Sequence, residues 1–216
     1  MKKQLFHNTF VVIAMLFAIL FLPITVRAQV MEAYAVMDTD AKTFSFYYDS
    51  NKDSYDENTV YTLPNSITGY PEWCLKYDRK KITTVIFDNS MKNCYPTSTR
   101  LWFDGFEKLT TIEGIKNLNT DNVTNMGGMF SGCKVLTSID VSGFRTQNVT
   151  YMDYMFDGCE LLKTIDVSHF DTKSVTNMSF MFYGCKSLIS VDVSNFNTQL
   201  VTNMSDMFHN CESLTT

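Results

Sequence analysis

Histidine is scarce in this sequence, which has only three in 216 residues. His7 lies in the apolar N-terminal segment, and we assign His169 and His209 to surface turns. Neither a Ser/His/Asp nor a Cys/His catalytic arrangement can be assembled from histidines placed in this way. No pair of carboxylates is placed in a recognisable pocket either, so the sequence predicts a protein that is not an enzyme.

Basic residues are also few, since 18 Lys and Arg stand against 23 Asp and Glu. Three of the basic residues lie within the first 28 positions, so the remaining chain carries 15 basic and 23 acidic residues, a net charge of −8. Binding to nucleic acid depends on clustered Lys and Arg that contact phosphates. The composition therefore excludes nucleic acid as a partner and disfavours anionic lipid surfaces.

Metal-binding motifs are absent from the sequence. The six cysteines form no CxxC pair and no Cys/His spacing of the kind that holds zinc. Residues 49–53 begin like a calcium-binding EF-hand loop, but Ser54 stands where that loop needs glycine and Val60 where it needs glutamate. We expect a turn between strands there, and no metal or other cofactor.

The first 28 residues have the layout of a secretory signal peptide. Lys2 and Lys3 precede an apolar run over residues 10–22, and Val26 and Ala28 are small residues at the positions that a signal peptidase reads. The run is shorter than the roughly 18 residues of a membrane-spanning helix, although an N-terminal anchor is the alternative. We predict cleavage after Ala28, export to the surface or exterior of a bacterium, and no membrane insertion after cleavage.

A 26-residue repeat organises the second half of the chain. Valine, Met-Phe and leucine columns begin at Val123, Met129 and Leu136, and the cysteine column comprises Cys133, Cys159, Cys185 and Cys211. One unit reads C-x2-L-x2-I-x-V-x2-F-x4-V-x2-M-x2-M-F-x2-C. Segments this short cannot bury their apolar faces alone, so the units must stack.

Within one unit, Leu136, Ile139 and Val141 match the L-x-x-L-x-L core of a leucine-rich repeat and predict a short strand. Within residues 149–159 the apolar residues lie three residues or one residue apart, and this spacing predicts one or two helical turns. The predicted fold class is therefore an α/β repeat solenoid, a leucine-rich-repeat array of 26-residue units over residues 101–216. A strand-rich N-terminal cap over residues 29–100 precedes it.

The cap and an imperfect first unit lead into the regular repeats. Phe44, Phe46 and Tyr48 alternate with polar residues and predict a strand, and residues 60–63 and 82–87 are further strand candidates. In the imperfect unit, residues 102–103 align with the Met-Phe pair and Phe106 aligns with the cysteine column. The cap is expected to cover the first layer of the array.

Residues 122–126, 129–133 and 139–142 carry a resemblance to a known family. They resemble the BspA-type leucine-rich-repeat surface proteins of bacteria, and the resemblance extends over roughly residues 32–216. It implies a secreted or surface-exposed protein without catalytic residues, and some members of that family are adhesins for host proteins. The chain departs from the family in having no cysteine for a lipid anchor near the predicted cleavage site.

The cysteine column could hold disulfides or free thiols in an exported protein. Stacked units would place successive cysteines about 4.8 Å apart, within disulfide range, but their side chains point the same way and Phe106 occupies the same column. We expect buried free thiols. Cys159→Ser should then cost a few kcal/mol at most, through a buried hydroxyl without a partner. A bond between Cys74 and Cys94 stays open.

The outward face of the predicted strands is the candidate binding site. It comprises Ser138, Asp140, Ser142, Thr164, Asp166, Ser168, Ser190, Asp192 and Ser194. A file of like charges destabilises a sheet, so its recurrence indicates a use, although duplication alone would also copy it. We predict an adhesin-like protein that binds a protein or other surface macromolecule. The alternative is a structural, self-associating or spacer array without a specific ligand.

The last unit is incomplete, since the strand residue that follows Val191 by the same step would fall at position 217. Met207, Phe208 and Leu214 would then lie on an uncapped face. Exposed apolar patches of this kind favour association. The sequence therefore predicts dimers or aggregates that form through this C-terminal face, or a longer natural protein.

Overall fold

The computed structural model describes residues 30–63 and 70–215. The signal peptide predicted over residues 1–28 lies outside this part of the chain. Residues from Glu32 onward form one compact unit. As far as they are described, the cap region and the repeat region therefore share one hydrophobic core.

A mixed five-stranded sheet forms the N-terminal part. Its strands are β1 (Glu32–Asp38), β2 (Thr43–Asp49), β3 (Val60–Thr62), β4 (Thr84–Phe87) and β5 (Thr111–Glu113), in the order β3-β1-β2-β4-β5. β1 pairs antiparallel with β2 and β3, whereas β2 with β4 and β4 with β5 are parallel pairs. The three strands predicted in the cap are confirmed as β2, β3 and β4, and β1 is a strand that the sequence analysis did not predict.

The predicted α/β leucine-rich-repeat solenoid over residues 101–216 is wrong. The described residues contain no α-helix, and their helices are 3-10 segments at Lys52–Ser54, Glu72–Leu75, Tyr77–Lys81, Asn89–Asn93 and Ile115–Asn117. No helix in the described ranges is long and apolar enough to cross a membrane. From residue 118 to 215 the chain consists of turns with isolated parallel bridges, so neither the strand nor the helical return of each unit is formed.

Left-handed residues explain why the return segment of each unit is not helical. Gly128 and Gly132 have φ angles of 62° and 69°, and the corresponding positions of the following units are also left-handed. A right-handed helix does not continue through such residues. The apolar spacing of three instead arises from successive turns, such as the one closed by the Met129 N–H and the Met126 carbonyl at 3.1 Å.

Backbone hydrogen bonds join each unit to the next at alternate residues. The N–H groups of Met126, Gly128, Phe130 and Gly132 donate to carbonyls 25 residues later, at 2.7–2.9 Å, and the pattern recurs in the following units. The longest run of parallel bridges follows the same edge, through Ser98, Asn125, Tyr151, Asn177 and Asn203. The main pairing between units therefore lies in the segment expected to be helical, not in the one expected to be a strand.

Stacked phenylalanines and buried thiols fill the interior of the stack. The ring centroids of Phe103, Phe130, Phe156, Phe182 and Phe208 follow one another at 5.4–5.7 Å. All six cysteines lie in the described part of the chain and all are free thiols. The expected column of unpaired cysteines is thus confirmed, and no bond joins the two cysteines of the cap region.

Candidate functional site

The nine polar residues predicted as the binding site form an accessible surface, here called the polar strip. Eight of them are exposed and Ser168 is half-buried. Thr164 and Ser190 form a parallel bridge and border a shallow groove of about 360 Å³ together with Asp166 and Asp192. The structure therefore brings residues of successive units together on one surface, although not on a regular strand.

The aspartates of the polar strip have a local structural task. Asp140, Asp166 and Asp192 each accept a hydrogen bond from the amide of the serine two residues later, at 2.9–3.0 Å. Hydrogen bonds from the serine side chain and amide hold the pKa of each carboxyl below its usual range. Aspartate in this position stabilises its own turn, which is a reason for its recurrence that needs no ligand.

A second surface carries stacked aromatic rings, here called the aromatic row. The rings of Tyr154 and Phe180 stack at 4.7 Å and 5°, and those of Tyr183 and His209 stack at 5.3 Å and 13°. Tyr154 and Phe180 both have a φ of 58°, a conformation that costs a residue with a side chain about 1–2 kcal/mol. Tyr154 is nevertheless 41% exposed. Rings held at the surface despite backbone strain mark a candidate functional site.

The aromatic row ends at a gap in the stack. The unit before Tyr154 has Gly127, Gly128 and Ser131 at the positions that hold Asp153, Tyr154 and Asp157 one unit later. The smaller residues border a cavity of about 300 Å³, here called the gap cavity. The other residues that line it are Tyr70, Leu101, Tyr154, Arg100, Asp104, Asp153 and Asp157.

Three half-buried carboxyls surround the gap cavity. Burial raises the pKa of Asp104, Asp153 and Asp157 above the usual range. The charge of Arg100 acts in the opposite direction on Asp104 and Asp153. Because Arg100 lines the same cavity as the only cation, the described lining carries more negative than positive charge.

The gap cavity has the features of a binding site for an organic group. The carboxyls border a space of about 300 Å³, which is larger than one ion, and no three of the described His, Cys, Asp and Glu side chains form a group that could hold a metal ion. The two described histidines lie elsewhere, since His169 contacts the Val141 carbonyl at 3.0 Å and His209 belongs to the aromatic row. The described lining offers two tyrosine side chains, Tyr70 and Tyr154, several carboxylate acceptors and the guanidinium of Arg100.

The constant columns of the repeat do not reveal the gap cavity. The signal lies in two variable columns, where Gly128 is followed by Tyr154 and Phe180, and Ser131 by Asp157. An aromatic residue at a position that is glycine in a sister unit is not needed for the stack itself. It indicates a surface that differs from unit to unit.

The stacked part of the chain matches a known protein family. No curated protein and no solved structure matches the chain significantly. The family described as "Mycoplasma protein of unknown function, DUF285" matches residues 97–216, which is more than half of the chain. The match begins beside Ser98, the first residue in the run of parallel bridges between units. The chain therefore belongs to this family, DUF285.

Proposed function

We propose that this chain is an exported bacterial binding protein with an adhesin-like role, and that it contacts its partner at the gap cavity. One observation carries the proposal: the glycine pair at 127–128 leaves the ring of Tyr154 uncovered beside three half-buried carboxyls. An accessible aromatic ring with a polar end is the kind of side chain that dominates recognition surfaces. The partner is a protein or another surface macromolecule.

Two features of the sequence support a place at the surface or exterior of a bacterium. Residues 1–28 have the layout of a signal peptide, and the repeat resembles that of BspA-type surface proteins. The description of the DUF285 family names no activity. The proposal is therefore one of binding, and it assigns no reaction to the gap cavity.

A self-associating array is the second candidate, and exposed apolar side chains favour it. Leu161 and Ile189, which lie in units that are followed by a further unit, are 45% and 51% exposed. Apolar surface of this kind associates with itself. Light scattering over a range of concentrations separates the candidates: a monomer that retains a partner supports binding, and oligomers that retain nothing support the array.

A capture experiment with a gap-filled variant tests the proposed function. Gly128→Tyr places in the gap the residue that the next unit carries at the same position with a similar φ, 62° against 58°. A Cβ there would lie 2.5 Å from the end of the Leu101 side chain, a flexible group that can move. Both proteins are immobilised and exposed to host-matrix and bacterial-surface extracts.

We expect the wild type to retain a specific partner and the gap-filled variant to lose it while keeping a cooperative thermal transition. Equal retention by both proteins, or no specific retention by the wild type, contradicts the proposed function.

A further inference from the structure

We infer, on the basis of the proposed function, that the gap cavity receives the guanidinium group of an arginine side chain on a protein partner. Both the shape of the gap and its charge point to this group. A guanidinium is planar, stacks on aromatic rings and carries five N–H donors in a fixed fork. These are the properties that the residues around the gap complement.

The gap has the thickness of one missing layer in a stack. One face of Tyr154 is covered by Phe180 at 4.7 Å, and on its other side the next residue of the column is Gly128. Beyond Gly128 lies the side chain of Leu101, which leans toward that glycine. Paired backbone segments lie about 4.8 Å apart, so Leu101 and Tyr154 are two such spacings apart, with only the layer of Gly128 between them. The end of the Leu101 side chain lies 2.5 Å from where a Cβ of residue 128 would be, so a flat group that stacks on the ring of Tyr154 packs against this flexible side chain and moves its end aside.

The charge around the gap selects a cation. Asp104, Asp153 and Asp157 line the cavity, and Arg100 is the cation among its described lining residues. The raised pKa of each carboxyl shows that burial disfavours its negative charge more than neighbouring groups stabilise it. A positive group in the cavity would offset this effect. Paired N–H donors of a guanidinium also match the two oxygens of a carboxylate.

Other ligands satisfy only one of the two features. A neutral saccharide ring can stack on Tyr154 but leaves the carboxylates without a counter-charge. A lysine ammonium supplies charge but is a compact point charge without a flat face to fill the layer. The net charge of −8 after the predicted cleavage also favours encounter with basic proteins. Of these three groups, arginine alone combines a flat shape with a positive charge.

Three peptides of equal length test this inference on the full chain: acetyl-Gly-Arg-Gly-amide and its citrulline and lysine counterparts. Citrulline keeps the flat shape without the charge, and lysine keeps the charge without the flat shape. We expect the arginine peptide to shift the amide NMR signals of Gly127 and Gly128 and to bind about tenfold or more tightly than the other two. Equal binding of either counterpart overturns the inference. So does a response of these signals to a methyl glycoside and not to the arginine peptide.

Two variants of Tyr154 test whether the arginine peptide stacks on this ring. Tyr154→Leu removes the ring, whereas Tyr154→Phe installs the residue of the next unit and keeps the ring. The arginine peptide should bind Tyr154→Phe like the wild type and Tyr154→Leu at least about tenfold more weakly. Equal affinity for both variants, with dispersed spectra that show both are folded, overturns stacking on this ring and the inference with it.

Two triple variants with equal charge separate a site from a general charge effect. One changes Asp104, Asp153 and Asp157 to Asn, and its control makes the same change in the polar strip at Asp140, Asp166 and Asp192. We expect the first variant to lose peptide binding and the control to keep it. Equal weakening of peptide binding in both variants overturns the inference.

If Gly128→Tyr abolishes capture of a partner but no arginine peptide binds, arginine recognition fails while the proposed function stands. If the arginine peptide binds at the gap but the wild type captures no partner, the proposed function fails instead.

Discussion

Single side chains of the repeat form hydrogen bonds with backbone groups of the neighbouring unit. The thiol of Cys159 donates to the Phe130 carbonyl at 3.2 Å, and the other three thiols of the column do the same one unit earlier or later. The predicted reason for the cost of Cys159→Ser is therefore wrong, because a serine hydroxyl would meet the same carbonyl. Sequence predicts that the column is buried, but not which carbonyl lies opposite.

The thiols of this column should be protected from alkylation in the native protein. Burial raises the pKa of Cys133, Cys159 and Cys185, so almost no reactive thiolate is present at about pH 8. We expect iodoacetamide to label Cys211 first, because it is only half-buried, and to label all six cysteines after denaturation without reductant. Peptide mass spectrometry measures this order. A disulfide between Cys133 and Cys159, or fast labelling of native Cys159, would contradict it.

Buried threonines form a second polar column, and Thr172 makes its role measurable. Its hydroxyl accepts from the Asn197 N–H at 2.7 Å and donates to the Asn197 carbonyl at 3.1 Å. Thr172→Val should lower the free energy of unfolding by about 1–3 kcal/mol, because both backbone groups lose their partner. Thr198→Val is the matched control in the same column: Thr198 is exposed, and its change should stay within about 0.5 kcal/mol. Equal effects in urea unfolding would refute the role of the hydroxyl.

Among the elements, the strands of the cap could be predicted and the return segment of the repeat could not. Alternation of apolar and polar residues around Phe44 has one common physical cause, a half-buried strand. An apolar spacing of three has two causes, a helix or a series of turns, and the apolar residues do not distinguish them. Gly132, Gly158 and Gly184 do distinguish a helix from a series of turns, and one of them is present in every full unit. Their left-handed backbone decides the conformation.

Gly158 tests this explanation at the level of one turn. Its φ is 63°, and a Cβ there would have its nearest neighbours at 3.7 Å, so an added methyl finds space. Gly158→Ala should therefore lower the free energy of unfolding by about 1–2 kcal/mol for backbone reasons alone. Gly143→Ala is the control, since Gly143 also has room at 3.7 Å and is not left-handed. It should be neutral or slightly stabilising, and an equal loss in both variants would contradict the explanation.

For the whole molecule, the repeat could be predicted from the sequence, as could the polar strip as an accessible surface. The gap cavity could not, because it is formed by residues 27 positions apart, such as Leu101 and Gly128, together with one unit that lacks side chains. The direction in which the pKa of its carboxyls shifts also cannot be predicted from the sequence, because it depends on burial. The carboxyls of the polar strip look the same in the sequence, yet their pKa shifts in the opposite direction.

The pH dependence of stability should reveal the buried charge. Burial raises the folded-state pKa of Asp104, Asp153 and Asp157, so their ionisation opposes folding. This opposition is absent below about pH 4, the ordinary aspartate pKa, and grows as pH rises through the raised values. The triple Asn variant should have a Tm above that of the wild type near neutral pH and an equal Tm below about pH 3. Calorimetry that shows a lower Tm near neutral pH would contradict the account.

The most direct test of the central claim is the affinity of the captured partner for three forms of the chain. Titration calorimetry compares the wild type, Gly128→Tyr and the polar-strip variant with Asn at Asp140, Asp166 and Asp192. If the gap cavity is the contact site, filling it should weaken binding about tenfold or more, and the polar-strip variant should bind like the wild type. Unchanged affinity of Gly128→Tyr, with loss of binding in the polar-strip variant, would show that the partner contacts the polar strip and not the gap cavity.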